Sequence, residues 1–237
     1  MKKLLLIPLV LLVMVGCDFD YKTTLKVSEI RNMTEKVQIH PAEIRAEVIE
    51  CKDDTTGLVS KYVFEAKQHV PYMFKDSKYT GCVDEGMDDF ACFDTKFYMY
   101  ADGKSKYDKG KFKGMSLKDK LSIVRVHTPI KGLDALLIVL SDGMKQRILN
   151  VKKSTYRTPS VNFEFILIND TKKALVRHST GIYKNGDPVQ NEWNALQPGE
   201  KIRLKLSRIS VEFLIKYNHV AIFEITNEDV STPKNIK

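Results

Sequence analysis

Lys2 and Lys3 precede an uncharged apolar run, Leu4 to Val15, which only Pro8 interrupts and which ends at Gly16-Cys17. At twelve residues the run falls short of the roughly 20 that a membrane-crossing helix needs. A short positive start, an apolar stretch and a small residue at its end are the marks of an export segment that is removed before the rest of the chain folds. The fold therefore has to be built from residue 17 onward. Removing Lys2 and Lys3 lowers the formal charge from +8 to +6. That surplus suits anionic surroundings without choosing among them.

Met14-Val15-Gly16-Cys17 resembles the lipobox of bacterial lipoproteins, with Met14 standing where leucine is commonest. The resemblance implies that residues 1–16 are cleaved as a signal peptide. Cys17 would carry the lipid, and residues 17–20 would form the lipidated N-terminus. Several acyl chains meet the condition for stable anchoring. Asp18 resembles the residue that retains enteric lipoproteins in the inner membrane. The implied location is the periplasmic side of a membrane, the inner one where the host follows that rule.

The remaining chain is long enough to bury a sizeable core. With 43% hydrophobic and 29% charged residues, it has the composition of a globular protein rather than a disordered one. Tyr21 to Val27, Ala42 to Cys51, Phe90 to Tyr100 and Leu121 to Val126 read as strands, rich in β-formers or alternating in polarity. Leu58, Val59, Tyr62, Val63 and Ala66 recur at helical spacing behind Thr55 or Thr56, with Pro71 as the stop. Asp142-Gly143, between the apolar Ala135–Leu140 and Met144–Val151, reads as a hairpin turn.

From Val161 the texture becomes one of short strands: Val161–Ile168, Ile182-Tyr183, Ile202–Leu206 and Val220–Ile225, with turns at Asn169-Asp170, Asn185-Gly186 and Leu196-Gln197-Pro198-Gly199-Glu200. These turns and their spacing resemble bacterial immunoglobulin-like modules. The expected fold class is α+β, β-rich. An α+β domain over 21–153 leads through a linker at 154–160 to an immunoglobulin-like β-sandwich over 161–229, with 230–237 as a tail. The layout also resembles small lipoproteins of phages and prophages of enteric bacteria, some of which block reinfection through envelope receptors.

Once Cys17 is lipidated, Cys51, Cys82 and Cys92 remain, enough for one disulfide in an oxidising compartment. Cys51–Cys82 would staple the helix to the sheet. Cys82–Cys92, which would clamp a hairpin, is the alternative. Asp84, Glu85, Asp88 and Asp89 lack the spacing of a calcium loop and read as a solvated turn. The five histidines, His40, His69, His127, His178 and His219, show no zinc spacing, and no HExxH, CxxC, GxSxG or phosphate-binding glycine loop occurs.

Neither a catalytic site, a metal nor a cofactor is expected. Lys104, Lys106, Lys109, Lys111 and Lys113, interleaved with Tyr107 and Phe112, form a candidate surface for anionic lipid. Trp193 reads as a core residue. The expected function is non-catalytic binding of an envelope protein or anionic lipid, with no nucleic-acid partner. A structural role in an envelope complex and a hydrolase with a dispersed site are the rivals.

Overall fold

Leu133 to Leu140 has every residue buried, and a strand without an exposed face has to sit in the middle of a layered structure. The computed structural model describes residues 18–52, 57–86, 88–107, 112, 114, 116–154, 160–189, 191 and 193–226. In chain order the elements are β1 (Phe19–Lys26), α1 (Val27–Arg31), β2 (Gln38–Val48), α2 (Lys61–Met73), β3 (Lys78–Asp84), β4 (Asp89–Lys106), β5 (Leu121–His127) and β6 (Leu133–Leu140). There follow α3 (Asp142–Ser154), β7 (Val161–Ile168), β8 (Ala174–His178), β9 (Ile182–Lys184), β10 (Asp187–Pro188), β11 (Trp193–Leu196), β12 (Lys201–Leu206), α4 (Arg208–Tyr217) and β13 (His219–Thr226). The fold class is α+β and β-rich, as its sequence suggests.

All these strands belong to one sheet, in the order β10-β9-β12-β7-β1-β2-β4-β5-β6-β13-β8-β11, with β3 beside the first half of β4. The residues after 160 thus form no sheet of their own. β7 pairs in parallel with β1 along its whole length, from Phe19 opposite Val161 to Lys26 opposite Ile168. β13 pairs with β6 far along the same sheet. The separate immunoglobulin-like sandwich expected over 161–229 is therefore not what forms. Its turns are present, but its strands are shared between the two ends of a larger sheet. Of the expected linker, residues 155–159 lie outside the described residues.

The sheet curls until its ends meet. Lys184 on β9 donates to the Asn194 side chain on β11 at 3.4 Å. Buried Asn169, after β7, donates to the Leu196 carbonyl at 2.8 Å and accepts on its own carbonyl from Gly199 N at 2.7 Å. The inward face packs with the buried sides of α2, α3 and α4 in one apolar cluster, with Phe19, Tyr21, Phe93, Phe163 and Phe165 among its largest members. A second cluster lies on the other face of β4, β5, β6 and β13 around Tyr100, Val124, Val126, Leu137 and Val139, covered by Tyr107, Phe112 and Leu117. Of the residues after β4, Tyr107, Phe112 and Leu117 thus pack on the outer face instead of standing in solvent. This cover is why β6 shows no alternation.

Several local expectations change for physical reasons. Ser60, not Thr55 or Thr56, caps α2 by accepting from Val63 N; residues 53–56 lie outside the described set. Pro71 sits inside the last turn, and the helix continues to Met73. Asp142-Gly143 opens α3 rather than a hairpin, because Ser141 Oγ accepts from Met144 N at 3.3 Å and caps the helix. The glycine there serves close approach. A Cβ on Gly143 would stand 2.3 Å from Asp119 Oδ1, and Asp119 is bound by Arg147 of α3 at 2.6 Å and Lys75 at 2.9 Å. Those two cations pull its carboxyl down to about 2.

Cys51 and Cys82 are disulfide-bonded, with Cα atoms 5.7 Å apart, and Cys92 is free and buried. The alternative pair is excluded by facing. Cys82 lies opposite Ala91 and packs on the inner cluster, whereas Cys92 is the next residue along β4 and stands opposite Arg45 of β2. Closing a 31-residue separation should contribute about 3–4 kcal/mol by chain entropy. Replacing both Cys51 and Cys82 by alanine is expected to lower the denaturant-derived stability by about that amount. Cys92→Ser should cost clearly less. Because both ends of the sheet need the last third of the chain, a chain ending at Ser160 should show no cooperative thermal transition by circular dichroism. A cooperative melt there would mean that residues 18–160 are a domain.

Candidate functional site

α4 was not foreseen, although its marks are in the chain. Ser207 caps it by accepting from Ser210 N, and Asn218 ends it in the left-handed region at φ 68°. Val211 and Leu214 turn inward, while Ile209, Phe213 and Tyr217 keep 78%, 38% and 47% of their surface exposed. The rings of Phe213 and Tyr217 lie 4.4 Å apart, tilted by 44°. Facing this helix, β13 carries a bulge between Ala221 and Phe223. The Ile222 carbonyl freed from the ladder accepts from Ser179 N at 3.1 Å.

Bulge, helix and the turn after β5 together leave a cleft of about 650 Å³. Its apolar rim is Ile130, Ile209 and Phe213; its polar wall is Arg177, His178 and Glu224. Arg177 and Glu224 are cross-strand partners joined through both Nε, at 2.9 Å, and Nη2. The guanidinium also lies 5.2 Å over the ring of Trp193, its neighbour on β11. This is a neutralised pair held by an aromatic platform, not a free cation. Tyr107 also lines the cleft; its phenol is pushed up by burial and then by the Glu224 charge.

His178 is the unusual group. Its residue is fully buried, and neither ring nitrogen has a hydrogen-bond partner. The ring lies edge-on to Phe223 at 6.5 Å. Burial, and then the Lys184 charge, pulls its pKa down to about 4, so the imidazole is neutral at physiological pH. The alternation Ala174, Val176, His178 along β8 could have marked it as inward-facing, but β8 is too short for that pattern to stand out.

Two hydroxyls that line the cleft are committed elsewhere. Ser210 Oγ donates to the Gly181 carbonyl at 2.9 Å, and Thr128 Oγ1 donates to the Leu133 carbonyl at 3.0 Å. His127 Nδ1 pairs with buried Asp134 at 2.7 Å. Among the described residues no hydroxyl or thiol is hydrogen-bonded to His127 or His178, and no group of three His, Cys, Asp or Glu is placed to hold a metal ion.

Of the residues named from the sequence, Tyr107 and His178 line the cleft and Trp193 is half-buried under Arg177 beside it, while the lipidation, sorting, disulfide and lysine candidates lie elsewhere. Cys17 is outside the described residues. Asp18 is pinned to the sheet: its carbonyl accepts from Glu47 N at 3.0 Å and its carboxylate from Ser160 N at 3.2 Å. The Cys51–Cys82 bond lies at this same end of the strands, where β2 stops and β3 meets the start of β4. Lys104 is exposed near the far end of β4, about 50 Å of strand path from Asp89 at ~3.3 Å per residue. Lys106 ends that strand; Lys109, Lys111 and Lys113 lie outside the described residues. Of the acidic turn, Glu85 pairs with Arg45 and Asp89 accepts from Cys51 N.

A His178 that stays neutral when folded but titrates near 6.5 when unfolded gives the unfolded chain the extra proton on acidification. Stability should therefore fall from about pH 6.5 down to about 4, by about 3 kcal/mol in all. His178→Leu is expected to flatten this part of the stability–pH curve. An unchanged slope would show that His178 is already partnered in solution.

No curated protein and no solved structure matches this chain. A family model described as a domain of unknown function, DUF7424, matches residues 19–228. It thus takes in every described strand and helix, and the chain belongs to that family.

Proposed function

We propose that the protein is an envelope lipoprotein, anchored through Cys17, that binds a partner without catalysis in the cleft beside α4. The cleft itself is the observation that carries this. Its rim exposes Ile130, Ile209 and Phe213, while Arg177 and Glu224 are paired with each other and, among the described residues, no group is hydrogen-bonded to the His178 ring. Large apolar and aromatic side chains around a concavity are the usual anchors of a binding site. The anchor rests on the Lys2-to-Cys17 pattern, and the Cys51–Cys82 bond fits the oxidising compartment that such export implies. A structural role within an envelope complex would use the same surface with a permanent partner. Among the described residues, the His127–Asp134 pair is the feature that favours a hydrolase.

Cys17→Ala is expected to abolish fatty-acid labelling and leave an unprocessed, larger form. A photo-crosslinker replacing Phe213 should capture one discrete partner in intact envelopes, and Ile209→Glu should weaken that capture about 10–100-fold, the loss typical of an anchor residue. Hydrolytic turnover lost in His127→Ala would replace binding by catalysis. Cleavage and membrane retention of the Cys17→Ala protein would remove the anchor.

A further inference from the structure

The cleft is not the only place where apolar surface collects. Ile49, Leu58, Val59 and Val83 are 48%, 69%, 62% and 42% exposed, and all four stand around the Cys51–Cys82 bond. Ile49 follows the last residue of β2, and Val83 follows Cys82. Val59 is bridged to Lys52 in an antiparallel pair, while Ser60 N donates to the Cys51 carbonyl at 3.2 Å. The disulfide thus holds an apolar tip in place at one end of the sheet. Phe64, in the first turn of α2, is 60% exposed as well.

Asp18 lies at the same end. Its carbonyl is bound by Glu47 N, two residues before Ile49, and its carboxylate by Ser160 N. Between a residue fixed in the sheet and Cys17 there is a single peptide unit, which spans ~3.8 Å between Cα atoms. A lipoprotein whose fold starts immediately after the acylated cysteine has no tether on which to stand off from the bilayer.

We infer that this end of the sheet lies on the phospholipid surface, with Ile49, Leu58, Val59 and Val83 entering the boundary between headgroups and acyl chains. The inference rests on the anchor proposed at Cys17. Such side chains penetrate about 5–10 Å. Contact is apolar rather than electrostatic, because Lys52 at the tip is outnumbered by Glu47, Asp84 and Asp88, and like charges repel anionic headgroups. Lys104, near the far end of β4, then faces away from the membrane that holds the anchor.

The test uses the full-length, acylated protein in phosphatidylcholine vesicles. Trp193→Phe removes the native tryptophan, and a new one is placed by Leu58→Trp, by Val59→Trp, or by Ile39→Trp, which lies about 30 Å away along β2 at ~3.3 Å per residue. Lipids brominated on the upper acyl chain should quench Leu58→Trp and Val59→Trp several-fold more than Ile39→Trp. Neither raised salt nor added phosphatidylglycerol should increase the quenching. Using two positions guards against one variant misfolding. Equal quenching at all three, or none at either tip position in protein that floats with the vesicles, overturns the orientation while leaving the anchor intact. Wild-type acylated protein that fails to float overturns the anchor, and the orientation with it.

Discussion

The parallel register of β1 with β7 is the constraint on which the rest depends. Eight residues at the start of the fold pair with eight that follow some 140 positions later, and everything between is enclosed by that pairing. Closing a loop of that size is entropically unfavourable, though the cost grows only logarithmically with length. It is met by two elongated strands whose inward residues, Phe19, Tyr21 and Leu25 on one and Val161, Phe163, Phe165 and Leu167 on the other, are all buried. β12 can extend the sheet on the far side only because β7 is already seated. So many distant pairings point to slow folding, since non-local contacts must form before they stabilise anything.

The same economy governs the middle of the sheet. β5 and β6 are covered on both faces, by the inner cluster and by Tyr107, Phe112 and Leu117. Asp119 then locks the approach to β5 to α2's exit and to α3 through Lys75 and Arg147. Arg125 on β5 donates to the carbonyls of Arg31 and Met33 at 2.7 Å each, tying the α1 turn to the same strand. Polar groups thus appear where segments of different layers must be held in register. The apolar clusters supply the bulk of the burial.

How far this could be read in advance depended on whether a signal was local. Strands with one buried face, such as Val161–Ile168 and Ile202–Leu206, alternate visibly, and the Asn185-Gly186 turn has both residues at positive φ, 52° and 99°. The disulfide was legible because only three cysteines were available and one pairing joined a helix to the sheet. Strand partnership was not legible. Nothing in Val161 to Ile168 says that its neighbour is Phe19, and the local regularity of turns after 160 imitated a small sandwich. Asp142-Gly143 misled because a glycine admits two causes, positive φ and close approach, and only the position of Asp119 distinguishes them. The cleft was invisible for the same reason: its residues come from β5's exit, β8, α4 and β13, and no two of those are adjacent in the chain except α4 and β13.

His178 shows what that assembly produces. An imidazole with no partner is an unfavourable thing to bury. The neighbouring Arg177 escapes the same difficulty by facing the opposite way, where Glu224 and Trp193 receive it. β8 stops at His178, opposite Phe223 and one residue short of the bulge at Ile222, whose carbonyl accepts from Ser179 N. The ring packs edge-on to Phe223, its cross-strand partner on β13. The sheet turns from β6 toward β8 by spending a residue of β13, and the opening left at the turn is the concavity that α4 rims with Ile209 and Phe213.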